Sequence, residues 1–360
     1  PAKDCSFNLA PVGAGPFVVE AFRPKDSIVM RRNETFWEGK PHLDGLEFVV
    51  LGDAGGATTF EALLAGQLDA AYLVNARTVA DAHDQGVSNF SVVTNGGNVL
   101  LFNVGVTVNC NGGEPAPTCT GKPDGPTATN PVTSDVRIRR AIAAAIDPEG
   151  VDQRVNGGKG SPTSDLIGED HPWFPGVHAP SYDPELAKEL VAQAKADGWD
   201  GKVRLLFDNT TASQATGVAV EAMLRAVGMD PQLDVTTELS GRILKVTTQK
   251  DFDVALWGFN LSPDDGAMKD LTQNFSSASP TNRTGYSNPT VDQALKEFRS
   301  ASDDAGKTEA LRDMLEQVYA DVPVHTLSNR EVLIAWGPRL HGLLPGPLNE
   351  VSFAEAWLSE

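Results

Sequence analysis

The feature that most constrains this 360-residue chain is a change of hydrophobic patterning across a segment that suits neither a regular helix nor a long strand. Residues 105–134 are dense in Gly, Pro, Thr and Asn, which end elements and populate turns. Before them, the runs Ile28–Arg32, Leu46–Leu51, Ala70–Val74 and Val99–Val104 are rich in β-branched or other apolar side chains and predict strands. Phe60, Leu63 and Leu64 predict one short helix, which Gly66 ends by adopting a left-handed conformation. After them, helical and strand patterns alternate, as in an α/β lobe. The length exceeds what one hydrophobic core usually supports, so two lobes are expected.

In the alternating region, Ile138, Ile142 and Ile146 recur every four residues and form an apolar ridge. Arg137, Arg139 and Arg140 fall on the other face and are expected to be solvated. Asp183-Pro-Glu is a helix start with an acceptor before proline, and Leu186, Leu190, Val191 and Ala194 supply its buried stripe. Gly198 is expected to stop it. Val203–Phe207, a helix carrying Val218, Met223, Leu224 and Val227, and Leu233–Thr237 read as strand, helix and strand. A right-handed crossover makes those two strands parallel. Phe252–Trp257 predicts a buried strand, helices follow near 290–302 and 306–320, and the remainder returns to strand and turn character.

Charge and motifs narrow the function classes. The formal net charge of −19 leaves no large basic face and argues against a nucleic-acid partner. No apolar run approaches the roughly 18 residues that span a bilayer, and residues 1–20 lack the charged-then-apolar order of a signal peptide. HExxH, G-x-S-x-G and complete P-loop patterns are absent. Gly157–Ser161 lacks P-loop spacing and reads as a turn; Gly13 and Gly15 fail G-x-G-x-x-G because Val18 holds the third glycine position. His171 and His178 could hold a metal, but no third-ligand pattern accompanies them, so no metal or cofactor is expected. A glycosidase needs two carboxylates across a cleft, and the adjacent Asp264 and Asp265 have no distant acid to pair with.

Of three cysteines, Cys110 and Cys119 bracket Asn111–Thr118, a Gly/Pro-rich stretch that could turn back on itself. In an exported protein they would form a disulfide; the alternative is two free thiols on a loop. Cys5 is left over, either a free thiol or the partner of a cysteine elsewhere.

Several segments, taken together and in order, carry a resemblance. They are Pro11-Val-Gly-Ala-Gly-Pro-Phe17, Asn33-Glu-Thr-Phe-Trp-Glu-Gly-Lys-Pro-His-Leu-Asp44, Phe60–Asp69, Asp135–Asp147, Asp183–Lys188, Asn282-Arg-Thr-Gly-Tyr-Ser-Asn-Pro-Thr-Val-Asp292 and Asp321–His325. In that order they resemble the family 5 extracellular solute-binding proteins of ABC importers, which capture peptides, nickel complexes or oligosaccharides. The resemblance implies an α/β, two-lobed periplasmic-binding-protein-like fold (type II, cluster C). By this likeness residues 1–104 are a strand-rich portion of the first lobe, 105–325 a second α/β lobe, and 326–360 a return to the first. In the family the opening block lies well inside the chain, so the first lobe is expected to be incomplete here. The function implied is capture of an oligopeptide or oligosaccharide-like solute between lobes by hinge closure, delivery to a membrane permease, and no covalent chemistry. A monomer on the outer face of the membrane or in the periplasm, lipid-anchored through a segment not present here, is also implied. A cell-surface or regulatory binding protein on the same scaffold is the alternative.

The candidate site residues follow from the same resemblance. Peptide-binding relatives place Gly-Trp-x-x-Asp where this chain has Trp257-Gly-Phe-Asn-Leu-Ser-Pro-Asp-Asp-Gly266, and that aspartate holds the ligand's α-ammonium. Aligned on Gly258, the tryptophan becomes Phe259 and the aspartate becomes Ser262, a neutral hydroxyl that cannot balance a buried cation. Asp264 or Asp265 could substitute only through a loop shift. Dipeptide binders also bring an arginine from the loop that here reads Asp208–Gln214 and contains none. Asn98, Asn209, Gln214, Asn260 and Ser262, beside Trp257 and Phe259, offer neutral donors and acceptors with flat apolar faces, and Asp265 completes the set. Trp173, on the proline-braced loop Pro172–Pro175, is either a stacking face for a ligand or packed on a neighbouring helix.

Overall fold

The computed structural model describes residues 11–52, 55–111, 117–236, 238–346 and 350–360; the leftover Cys5 lies outside them. The chain forms two compact units, one built from the residues up to Val93 and from Glu331 onward, the other from Thr94–Arg330.

In the first unit, β1 (Phe17–Arg23), β2 (Ser27–Arg32) and β3 (Gly45–Val49) form an antiparallel meander. Asn33 fastens the turn that follows β2. Its side-chain amide donates to the carbonyl of Gly15 at 2.9 Å, its backbone amide donates to that of Pro16 at 2.8 Å, and its Oδ1 accepts from the amide and hydroxyl of Thr35. The opening signature is therefore a backbone fastening. Helix α1 (Ala57–Leu64) ends as expected, with Gly66 at φ 70° letting the Gln67 amide reach the carbonyl of Ala62 at 2.9 Å. Strand β4 (Ala70–Leu73) pairs with Leu333–Trp336, and α2 (Ala76–Asp84) starts where Asn75 accepts from the amides of Arg77 and Thr78. Phe60, Leu63, Leu73, Val79 and Leu333 make this unit's core. No apolar stripe long enough to announce α2 exists in the sequence, since only Thr78, Val79 and Ala82 are buried.

Strand β5 (Ser88–Phe102) starts well before the apolar run Val99–Val104, because its first half carries Ser, Asn and Thr and is interrupted by Gly96 and Gly97. The chain passes from one compact unit to the other inside this strand, between Val93 and Thr94. That segment opens the second unit as a hairpin of β6 (Thr107–Cys110) and β7 (Gly125–Ala128), closed by the Cys110–Cys119 disulfide with Cα atoms 5.5 Å apart. The cysteines are paired, as expected for an exported chain.

The second unit continues with α3 (Val136–Ala145), α4 (Pro148–Asn156), the two-residue β8 (Ser161–Pro162) and α5 (Pro184–Ala196), started by the Asp183 carboxylate as anticipated. Strand β9 (Lys202–Asp208), α6 (Thr211–Ala226) and β10 (Asp230–Thr236) form the expected parallel crossover, register Leu205↔Leu233. Helix α7 (Leu239–Leu244) leads to β11 (Val254–Trp257), parallel to β9 and antiparallel to β5. Then come α8 (Ala267–Phe275), α9 (Pro289–Ser300), α10 (Asp304–Asp321) and β12 (Val324–Trp336), inside which the chain returns to the first unit. Across this unit the strands run β10-β9-β11-β5-β12. Both sheet faces are covered. Leu101, Leu206, Ala255 and Phe252 meet α8–α10 on one side, while Leu100, Leu205, Val254 and Phe207 meet α3, α5 and α6 on the other.

One expectation is corrected here. Arg139 is not solvated but 6% exposed, and its guanidinium donates to the carbonyls of Thr133 (2.8 Å), Ser134 (3.0 Å), Asp321 (2.8 Å) and Val322 (3.1 Å). Those carbonyls lie at the turn before α3 and the end of α10, where the helical ladder leaves acceptors without amide partners. The Asp321 carboxylate in turn accepts from the Tyr286 hydroxyl at 2.7 Å and the Asn288 amide at 2.9 Å. Three of the segments that carry the resemblance, 135–147, 282–292 and 321–325, are thus tied together through Arg139, Tyr286, Asn288 and Asp321.

Candidate functional site

The candidate residues gather at one end of the second unit's sheet. There the C-terminal ends of β9 and β11 adjoin the stretch of β5 around Gly96 and the stretch of β12 around Arg330. Beyond β11 the pairing continues irregularly, the amides of Phe259 and Leu261 donating to the carbonyls of Gly96 (2.9 Å) and Asn95 (3.1 Å). Gly97 is required for the close approach of β5 to β12: a Cβ there would lie 2.5 Å from the backbone nitrogen of Arg330.

Trp257 is half-buried at this end, with the Arg283 guanidinium 4.9 Å and the Arg242 guanidinium 5.8 Å from its ring centroid. Arg242 also pairs at 3.0 Å with Asp208, whose side chain is 3% exposed. Arg283 donates to the side-chain carbonyl of Asn274 at 2.9 Å, and Arg330 donates to that of Asn260. Burial pushes the Arg242 and Arg283 guanidinium pKa values below their ordinary range. Asn98, Asn209, Gln214 and Asn260 all stand exposed on this end. Asn98 donates to the Ser328 hydroxyl at 3.0 Å, and Gln214 donates to the Asn209 carbonyl at 3.1 Å.

Three expected contact residues lie in the interior instead. Phe259 is 4% exposed and packs edge-on against Phe275, because the β11 continuation turns its side chain toward α8. Ser262 is 2% exposed; its hydroxyl donates to Asp264, and its carbonyl accepts from His171 Nε2 at 3.1 Å. The hydroxyl in the aspartate's place therefore closes its own loop. Trp173 is 5% exposed, its indole N–H donating to Asp304 at 2.7 Å while its ring meets Phe298 and the Lys307 ammonium, so it braces α9 and α10. Asp265 is exposed but engaged in an ion pair with Lys307. His171 and His178 do not converge. Burial depresses the pKa of the first, against the opposing pull of its bond to the Ser262 carbonyl, and the second pairs with Asp165 at 2.8 Å; among the described residues no metal-holding cluster occurs.

Sequence reasoning missed the three arginines. The loop 208–214 contains no arginine, yet Arg242 arrives from α7 and pairs with Asp208 from outside that loop. Arg283 lies in the 282–292 segment, and Arg330 in the final stretch of strand and turn character.

Comparison with known proteins places this architecture. The model for bacterial extracellular solute-binding proteins, family 5 (middle), matches residues 2–282. Protein XP55 of Streptomyces lividans is 24% identical over 96% of this chain and 61% of its own length. The oligopeptide-binding protein AppA of Bacillus subtilis is 23% identical over 96% of this chain and 62% of its own. The chain thus spans about three fifths of the curated relatives it matches. Among solved structures, AppA of Bacillus subtilis bound to a nonapeptide superposes with a TM-score of 0.78 at 19% identity, covering 99% of this chain and 69% of that one. A dipeptide-binding protein from a Pseudoalteromonas species, in complex with Met-Leu, gives 0.75 at 17% identity, covering 97% and 65%. The chain belongs to the family 5 bacterial extracellular solute-binding proteins. Its fold is the mixed α/β fold of two-lobed periplasmic binding proteins.

Proposed function

We propose that this chain is the solute-capturing portion of a receptor for an ABC importer, holding an oligopeptide or an oligosaccharide-like solute and delivering it to the membrane permease as a monomer. Capture involves hinge closure and no covalent step, and the receptor works on the outer face of the membrane or in the periplasm, held there by a lipid anchor. Family membership supports the transport role. The observation that carries the site is the end of the second unit's sheet, where half-buried Trp257 closes β11 beneath the Arg242 and Arg283 guanidiniums and where Asn98, Asn209, Gln214 and Asn260 are exposed on the neighbouring strand ends and loops. A flat aromatic face and neutral donors and acceptors at one end of a sheet suit both a peptide backbone and a polyhydroxylated ring.

Calorimetry and thermal-shift titration of the full-length protein against peptide, oligosaccharide and nickel-chelate panels test this reading. Saturable binding within one class is the expected result. Silence from every class contradicts a transport receptor.

A further inference from the structure

Helix α7 is built with its polarity reversed. It buries none of its side chains, and Leu239, Ile243 and Leu244 stand 49%, 41% and 43% exposed. What it turns toward the sheet is charge: Arg242 pairs with Asp208 at the end of β9 (3.0 Å), and Lys245, just past the helix, pairs with Asp234 of β10 (2.5 Å). Asp234 is the register partner of Leu206, and Asp208 lies two residues beyond Leu206, so both carboxylates stand on the same face of the sheet. Apolar burial resumes at Val246, after the helix has ended. Ion pairs, not a hydrophobic stripe, therefore hold α7 in place.

The two pairs differ in burial. The side chains of Asp208 and Arg242 are 3% and 14% exposed, those of Asp234 and Lys245 30% and 27%. Removing one partner of a buried pair leaves a desolvated charge unmatched, whereas water answers a partly exposed one. Asp208 is itself fixed. Its Oδ1 accepts from the amide (3.0 Å) and hydroxyl (2.7 Å) of Thr210, and its own amide donates to Ser213 Oγ at 3.0 Å. Its Oδ2 meets Arg242 Nη1, and that guanidinium stands 5.8 Å from the Trp257 ring centroid. Among the described residues Asp208 is the one acid paired with Arg242. Arg283, the second cation over that ring, is tied instead to the neutral Asn274.

We propose that Asp208 is a positioning residue for the solute site: through Arg242 it holds α7 on the end of the sheet and fixes the orientation of the Trp257 indole. Without the carboxylate, a partly desolvated guanidinium with no counter-charge moves out to water, and α7 follows because no buried side chain of its own retains it. The carboxylate is enclosed, so it acts on the solute through the ring and not by contact. The consequence for binding rests on the reading of Trp257 as the solute's face; the consequence for the ring and the helix does not.

The test uses the full-length protein labelled with 5-fluorotryptophan and read by fluorine NMR, the Trp257 resonance being assigned by its loss in Trp257→Phe. Asp208→Asn keeps the oxygen that accepts from Thr210 and removes the charge. It should move or broaden the Trp257 resonance and leave the other tryptophans in place, while amide exchange across residues 239–246 rises about tenfold or more. Titration with a nonapeptide pool and with maltohexaose reads the binding: whichever the unaltered protein retains should bind the variant about tenfold more weakly. Arg242→Gln alone should reproduce these changes, and Asp208→Asn added to it should change little more, since the two side chains act as one unit. An unmoved Trp257 resonance with unchanged exchange in α7 overturns the proposal, as does movement of every tryptophan at once. If Asp208→Asn does not fold, Arg242→Gln decides by the same two readouts. If ring and helix respond while affinity holds, and Trp257→Ala weakens binding, the link from Asp208 to the site is overturned. If Trp257→Ala leaves binding unchanged as well, the reading of Trp257 as the solute's face fails and the hold on ring and helix stands. Retention of neither probe counts against the receptor reading alone.

Discussion

Arg139 illustrates how far a local pattern can mislead about a single side chain. Its position on the polar side of an Ile-rich helix reads as solvent, yet two backbone carbonyls from the turn just before the helix and two from distant residues 321 and 322 converge there, and only a forked donor satisfies them all. Arg139→Met keeps the stem and removes the donors, leaving buried acceptors without partners. A loss of about 3 kcal/mol is expected in urea denaturation, with Arg139→Lys recovering part of it. His325 makes a second prediction. It is buried without a partner at Nε2, and burial depresses its pKa to about 4, so the native state holds it neutral. The unfolded chain binds its proton near the ordinary value of about 6.5, and the stabilisation is therefore full above that pH and is lost as pH falls toward the folded value. Between pH 7.5 and 5 this residue should account for about 2 kcal/mol of lost stability. Denaturation of His325→Leu across that range should show a correspondingly shallower slope. The same limit applies to the site. Ser262 is legible as a missing charge because that inference needs only residue identity, whereas the arginines depend on which segments meet in space.

Elements with a strong apolar period were readable, and those whose burial is one-sided or interrupted were not. The β9-α6-β10 crossover, α5 with its Asp183 start, and the late helices α9 and α10 all present apolar faces long enough to declare themselves. Helix α2 buries only Thr78, Val79 and Ala82, and the first half of β5 is mostly half-exposed, so neither leaves a periodic trace. The glycines that hide β5 also explain its geometry. With Arg330 backbone 2.5 Å from a Cβ at Gly97, Gly97→Ala must push β5 away from β12 and disturb Asn98 and Asn260 together. A destabilisation of about 2 kcal/mol, accompanied by weaker solute binding, is the expected outcome in paired denaturation and titration experiments. Unchanged binding would mean that the approach of these strands does not position the site.

For the molecule as a whole, several residues of the segments that carry the resemblance hold the fold together. Asn33 fastens a turn, Gly66 ends a helix, Asp183 starts another, and Arg139, Asp321, Tyr286 and Asn288 form a knot. Family resemblance was legible because these architectural demands fix residue types at fixed places. The candidate site was less legible, because Trp257 and the arginines around it come from separate strand ends and loops that only the fold brings together. The central claim is that this end of the second unit holds the solute, and Trp257 is its one large aromatic face not enclosed in a core. Isothermal titration of the full-length protein and its Trp257→Ala variant, with the tightest-binding solute of the panel, measures that claim directly. The account predicts an affinity loss of about thirtyfold or more, corresponding to roughly 2 kcal/mol, measured at a temperature where both proteins are folded. Equal affinity in the two proteins would contradict it.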